Sequence, residues 1–281
     1  MSGAADVAVP QAHRRGKVVE GTVLEDCLKD GMRLGIGGFG LDRKPMSLVR
    51  QVVRSAVRGL TVETYAGGLD IEALVLADKL AGVASCHVGL DHFGLAPRFR
   101  VARQSGRVAF EEWSELTQLV AWRAAAEGVG FATTRLDRRS DLLRVNPNIR
   151  VAPSVFGGDE VVVKAPAIDV AILHAEAAHP EGWAIAAGDR YLDVLLARAA
   201  KTVILSTERL VDDAELEARQ RDVHLLASYV DAIVVAPRAA LPGSCIPEYV
   251  IDLPAIRGYV DLCAAPGTTP DQLLGSLFGE P

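Results

Sequence analysis

The chain has 281 residues, with 30 Lys or Arg against 36 Asp or Glu, a formal charge of −6. A mildly acidic chain lacks the net basic surface that binds phosphate polymers, which excludes nucleic acid as a partner. Hydrophobic residues at 49% and charged ones at 23% describe a globular chain, able to bury roughly three quarters of its unfolded surface without staples. Cys27, Cys86, Cys245 and Cys263 are far apart and form no Cys-x-x-Cys pair. That spacing argues against a zinc site or a disulfide framework and for a reducing compartment, the cytoplasm. No run approaches 18 apolar residues, so no membrane span is expected. Residues 1–17 lack an apolar stretch of signal-peptide length and are expected to be a loose tail, followed by a single α/β domain over 18–281.

Thr22-Val23-Leu24-Glu25 has the form of a capping box and predicts a helix ending at Gly31. A short buried strand is expected over 32–36, then a glycine-rich turn, then a helix opening at Pro45. Leu48, Val49, Val52, Val53, Ala56 and Val57 repeat at helical spacing. Strand 60–65 ends at Gly67-Gly68, helix 71–80 follows, then strand 84–89 and helix 114–127. In the second half, 161–164, 169–174, 202–206 and 232–235 read as apolar strands. Helices are expected over 191–200 and, from Thr269-Pro270, over 271–278. Near-continuous apolar strands alternating with helices predict an open, mainly parallel sheet with helices on both faces. In such sheets ligands sit at the carboxyl ends of strands, which directs attention to the loops at 37–44, 66–70, 90–96, 174–189 and 206–209.

Gly35-Ile36-Gly37-Gly38-Phe39-Gly40 matches G-x-G-x-x-G, with Glu63 lying 23 residues beyond Gly40. A dinucleotide site needs the last glycine inside the helix, yet Pro45 starts the helix later, and Glu63 falls within a strand pattern. A tight turn without ligand is the plain alternative. The longer run Asp30-Gly31-Met32-Arg33-Leu34-Gly35-Ile36-Gly37-Gly38-Phe39-Gly40, ending in a loop that closes at Pro45, resembles the amino-terminal signature of the α subunit of family I coenzyme A transferases. Gly35 and Arg43 depart from that pattern. Arg43-Lys44-Pro45-Met46 resembles the glutaconate-CoA-transferase branch, and within it the α subunit of two-component hydrolases that open a steroid ring as its CoA thioester. The resemblance spans about 22–235, supported by the runs at 60–68, 102–106, 191–193 and 206–209. It implies an α/β/α fold with Gly37, Gly38, Phe39, Gly67 and Gly68 around the acyl-CoA.

Glu111-Glu112-Trp113-Ser114-Glu115 places carboxylates at a helix start, where Ser114 can cap and the dipole favours an anion at Glu115. Solvated capping is the plain alternative. The resemblance implies that one glutamate of this run, Glu115 with Glu112 the nearest rival, is a catalytic acid/base. Ordinary transferases of the family instead form a thioester on a glutamate of the β subunit. His174-Ala175-Glu176-Ala177-Ala178-His179, with Trp183 beyond, follows an apolar strand. It is expected to wall the acyl pocket rather than hold a metal, because the two histidines have no firm third ligand. Arg43 and Lys44 offer cations for a carboxylate or CoA phosphate, or are solvated. His92 after Asp91 is a loop histidine near the site, and no G-x-S-x-G elbow accompanies it. Glu208 before Arg209 is a second-tier site residue.

The expectation is one half of an enzyme that works on an acyl-CoA, by hydrolytic ring opening or by CoA transfer between carboxylates. No bound cofactor is expected: the CoA thioester is the substrate. The partner is a CoA-transferase-like β subunit in an α2β2 assembly. The reading from another class is a non-catalytic phosphosugar- or nucleotide-binding module.

Overall fold

The computed structural model describes residues 16–279. One turn, α1 (Leu24–Cys27), leads to β1 (Arg33–Phe39), α2 (Met46–Arg54), β2 (Leu60–Gly67), α3 (Leu69–Leu76) and β3 (Leu80–Ser85). The short β4 (His87–Val88), α4 (Pro97–Gln104), β5 (Ala109–Glu112) and α5 (Glu115–Ala126) follow. Next come β6 (Phe131–Thr134), α6 (Leu142–Val145), β7 (Ile149–Pro153) and β8 (Asp159–Lys164), then β9 (Ile168–Ala178) and β10 (Ala184–Ile185). After these stand α7 (Asp193–Ala199), β11 (Ala200–Leu210), α8 (Asp213–Ala218), β12 (Val223–Leu225), β13 (Ala232–Val235), α9 (Leu253–Ala264) and α10 (Pro270–Phe278).

Strands β13, β11, β9, β1, β2, β3 and β5 lie side by side, every pairing parallel. The antiparallel β10 and its partner β12 extend the far end of β9. Alternate residues supply both faces, as parallel strands covered on two sides require. Leu34, Ile36, Val62, Val170 and Ile172 enter a core with Leu48, Val52, Ile71, Ile256 and Leu273 from one helical layer. Ala171, Leu173, Val203 and Leu205 enter another with Trp122 of α5 and Leu196 of α7. Gly35 and Gly37 face this second layer. A Cβ on Gly35 would stand 2.7 Å from Leu196 Cδ1, and one on Gly37 2.3 Å from Leu173 Cδ2. The departure at Gly35 thus lets α7 press directly on the central strand.

Several expectations change. Thr22 caps nothing: α1 is a single turn preceded by Val23 without a side-chain cap, because Val23, Leu24, Cys27 and Leu28 bury themselves immediately. Helix α2 stops at Arg54, where Ser55 turns extended, so Ala56 and Val57 lie outside it. Leu80 opens β3 instead of closing a helix. The strand at 161–164 belongs to a separate antiparallel sheet, β6-β8-β7, since β8 pairs with its chain neighbours. Helices α4 and α9 have no counterpart among the expected elements. Of the expected tail, 1–15 lie outside the described residues, while Lys17 Nζ donates to Ala227 O and Val230 O.

Candidate active site

The carboxyl ends of β1 and β2 meet in two glycine turns. Gly40 N donates to Ala66 O, and a Cβ on Gly68 would fall 2.4 Å from Gly40 O. Gly37 and Gly38 lie within β1, where Gly38 takes a φ of 72° at an irregularity before Phe39, and Gly67 ends β2. Helix α2 starts at Met46, well past the last glycine, so its amino terminus does not face the run and the dinucleotide geometry is absent. Phe39 stacks on Tyr191 at 5.1 Å and tilts against Tyr65 at 5.9 Å. Arg43 and Lys44 are neither solvated nor turned to a ligand. Arg43 is 1% exposed, pairs with Asp193 at 2.8 Å and donates to His174 O; Lys44 pairs with Asp70 at 3.2 Å and donates to Thr64 Oγ1. Charges this deep need such partners, and both hold the loop to the sheet.

Helix α5 carries the candidate catalytic glutamate. Ser114 caps it, its Oγ accepting from Thr117 N at 3.2 Å, and Thr117 completes the capping box where a glutamate would usually stand. Glu115, Gln118 and Trp122 form one stripe of this helix, at spacings that bring them onto a common face. Trp122 Nε1 donates to Glu63 Oε2 at 3.1 Å. Gln118 accepts from Cys86 N at 2.8 Å and donates to Thr64 O at 3.0 Å. Glu115 therefore stands over the carboxyl ends of β2 and β3, beside Tyr65 and Cys86. It is exposed and makes no ion pair or side-chain hydrogen bond among the described residues. Burial, with the Glu115 charge second, pushes the Tyr65 hydroxyl up to about 12. Glu112 points to the opposite face of β5 and pairs with Arg103 at 3.0 Å, at a cavity of about 150 Å³ shared with His87, Phe99 and Arg100. His92 is exposed and its ring tilts against Phe93 at 4.1 Å.

The histidine run lies in a strand, contrary to the loop expected, because β9 continues to Ala178. The register sets His174 opposite Ser206. His174 Nδ1 is hydrogen-bonded to Ser206 Oγ and Nε2 to Glu208 Oε1, each at 2.9 Å. Glu208 also accepts from Tyr249 Oη at 2.5 Å and Ala239 N at 3.1 Å. Against the burial that would raise it, these bonds hold its carboxyl below the usual range. Glu176 turns to Arg219, and His179 to Asp213 at 2.9 Å, so the three conjectured metal ligands have three separate partners. Trp183 closes the β9–β10 turn, its carbonyl accepting from His179 N at 2.8 Å. Ligand atoms of His174, Glu208 and Cys245 do converge within 4.8 Å of one another. His174 and Glu208 are engaged in the network just described, and burial raises the Cys245 thiol to about 12, so it offers no thiolate.

A further cluster is not visible in the sequence, because its members come from three strands. Arg33 bridges Glu63 and Glu111, at 2.9 Å to the latter, and Asn148 Nδ2, just before β7, donates to Glu111 at 3.2 Å. Burial raises the Glu63 carboxyl to about 7, with Arg33 and Trp122 opposing. These groups and Lys164 line a cavity of about 190 Å³ between the two sheets.

An open parallel sheet with an unpartnered glutamate over its carboxyl edge, beside a glycine turn and an aromatic row, fits the enzyme class that the glycine run suggested. Residues 22–236 match the model of the family described as Coenzyme A transferase, and the chain belongs to that enzyme family. It is 35% identical over 254 residues to the Mycobacterium tuberculosis protein named cholesterol ring-cleaving hydrolase IpdA subunit, covering 85% of this chain and 87% of that one. Identity to one subunit of the glutaconate CoA-transferase of Acidaminococcus fermentans is 29% over 247 residues, 82% of this chain and 77% of the relative. The crystal structure of that transferase superposes with a TM-score of 0.81 at 27% identity, over 89% of this chain and 83% of the other. The AibA/AibB decarboxylase structure gives 0.81 at 30% identity, over 90% and 94%.

Proposed function

We propose that this chain is the α subunit of a two-subunit enzyme that hydrolytically opens a carbon–carbon bond in a ring of a steroid-derived CoA thioester. Glu115 is the acid/base. The observation that carries this is its placement: exposed, without a partner, in the first turn of α5, where the dipole favours the carboxylate, and held over the strand ends by Gln118. The identity to ring-cleaving hydrolase subunits along most of both chains supports the substrate class. A base so placed takes a proton from water as the oxygen adds to a ring ketone. The adduct collapses, the bond to the neighbouring carbon breaks, and the protonated glutamate returns its proton to that carbon. The CoA thioester is substrate, and no bound cofactor takes part. The partner is a CoA-transferase-like β subunit, in keeping with relatives that are themselves named as subunits.

The second reading is CoA transfer between carboxylates, with a nucleophilic glutamate on the partner; the backbone likeness to glutaconate CoA-transferase favours it. The test uses the complex of both chains with 2-oxocyclohexanecarboxyl-CoA, a minimal cyclic ketone thioester. Ring opening is expected from the wild type, and Glu115→Gln should lower kcat by about 100-fold or more. Failure of the wild type to open the ring, or a loss of only a few fold in Glu115→Gln, would overturn the hydrolase reading. Transfer of CoA to acetate surviving in Glu115→Gln would favour the second.

A further inference from the structure

Four of the tyrosines divide sharply by what their hydroxyls do. Tyr191 donates to Asp42 at 2.8 Å, Tyr249 to Glu208 and Tyr259 to Glu72, each at 2.5 Å. The Tyr65 hydroxyl has no hydrogen-bond partner among the described residues and is not sealed from solvent. Its ring is nonetheless held. It packs between Phe39 at 5.9 Å and Trp122 at 6.2 Å, and its backbone carbonyl accepts from Ser85 Oγ at 3.1 Å and Cys86 Sγ at 2.8 Å. A phenol on a clamped ring, half-buried and within electrostatic reach of Glu115, is a preorganised donor without an acceptor.

We propose that Tyr65 is a catalytic residue, its hydroxyl donating to the oxygen of the carbonyl that water attacks beside Glu115. This rests on the hydrolase reading above. Charge grows on that oxygen when the water oxygen bonds to the carbon and the water proton passes to Glu115. The Tyr65 O–H stays intact as a hydrogen-bond donor and stabilises the oxyanion. The electron pair then returns to re-form the carbonyl, the ring bond breaks, and the leaving carbon takes the proton from Glu115. Each atom added as water appears in the product, one oxygen and one hydrogen on the new carboxyl group and one hydrogen on carbon. Because burial and the neighbouring carboxylate keep the phenol protonated well above neutral pH, it can act as donor throughout the working range. The stacked Phe39 and Tyr191 continue the same surface and offer an apolar wall to the ring being opened.

The test is Tyr65→Phe in the two-chain complex, read as kcat and KM for 2-oxocyclohexanecarboxyl-CoA. Loss of one oxyanion donor is expected to lower kcat by about 100-fold with KM within about threefold. Because the hydroxyl has no partner, the variant should melt with the parent. A drop in melting temperature would show that the hydroxyl serves the fold and would overturn the proposal. So would a kcat within about threefold of wild type while Glu115→Gln is inactive, and that pattern leaves the hydrolase reading standing. If both variants keep their activity, the hydrolase reading itself fails.

Discussion

Glu63 and Glu115 stand at two ends of the same helix contact, one buried and the other exposed. Glu63 is 1% exposed, below Trp122, and its carboxyl is raised to about 7 by burial. Glu115 is open to solvent at a helix amino terminus. The folded chain keeps a proton on Glu63 that the unfolded chain releases near 4.5. This group therefore favours folding at low pH, and its contribution falls as pH rises from about 4.5 to 7. Glu63→Gln should flatten that part of the pH–stability profile, by up to about 3 kcal/mol between about pH 5 and 7.5 in urea unfolding. An unchanged slope would show that Arg33 keeps Glu63 ionised. Arg43 and Lys44 carry a related lesson. Two adjacent cations next to a glycine loop suggest an anion site, but only the fold reveals that Asp193 and Asp70 already neutralise them.

At the scale of elements, α5 and β1 set the site. The start of α5 was legible, since Ser114 before an acidic first turn is a strong capping signal. Removing that cap by Ser114→Ala should cost about 1 kcal/mol in denaturant unfolding, and loosen Glu115 with it. What the sequence left hidden was the direction in which α5 faces. That follows from Gln118 and Trp122 meeting backbone and side chains of β2 and β3 more than 30 residues away. Tyr65 gains its role from the same contact, so no local pattern could single it out. Strand β1 shows the converse: its glycines signalled close approach, and the structure identifies α7 as what approaches. Gly37→Ala should destabilise by roughly 2 kcal/mol or more, because its Cβ would overlap Leu173 Cδ2 at 2.3 Å. A loss of only a few tenths of a kcal/mol would mean that the Leu173 side chain yields easily.

Across the whole molecule, the main sheet exposes its carboxyl edge as a rim, with Glu115 exposed and the aromatic row half-covered. No helix among the described residues is long and apolar enough to cross a membrane. A rim of this kind needs a second surface to exclude water, in keeping with the proposed two-chain enzyme. The native mass of the protein purified from its own source should correspond to a complex with a second α/β chain. A lone chain with full ring-opening activity would contradict the two-chain reading. The sequence by itself determined the α/β class, most of the central strands, the glycine turn and the glutamate at the head of α5. These depend on periodicity, glycine stereochemistry and capping, all of which act within a few residues. Only the tertiary structure decided which charges are neutralised inside, that His174 meets Glu208, that Glu63 is buried beneath Trp122, and that Tyr65 stands unpartnered beside Glu115. Each of those depends on parallel strand register and helix-on-sheet packing, which join residues tens of positions apart and leave no mark in local spacing.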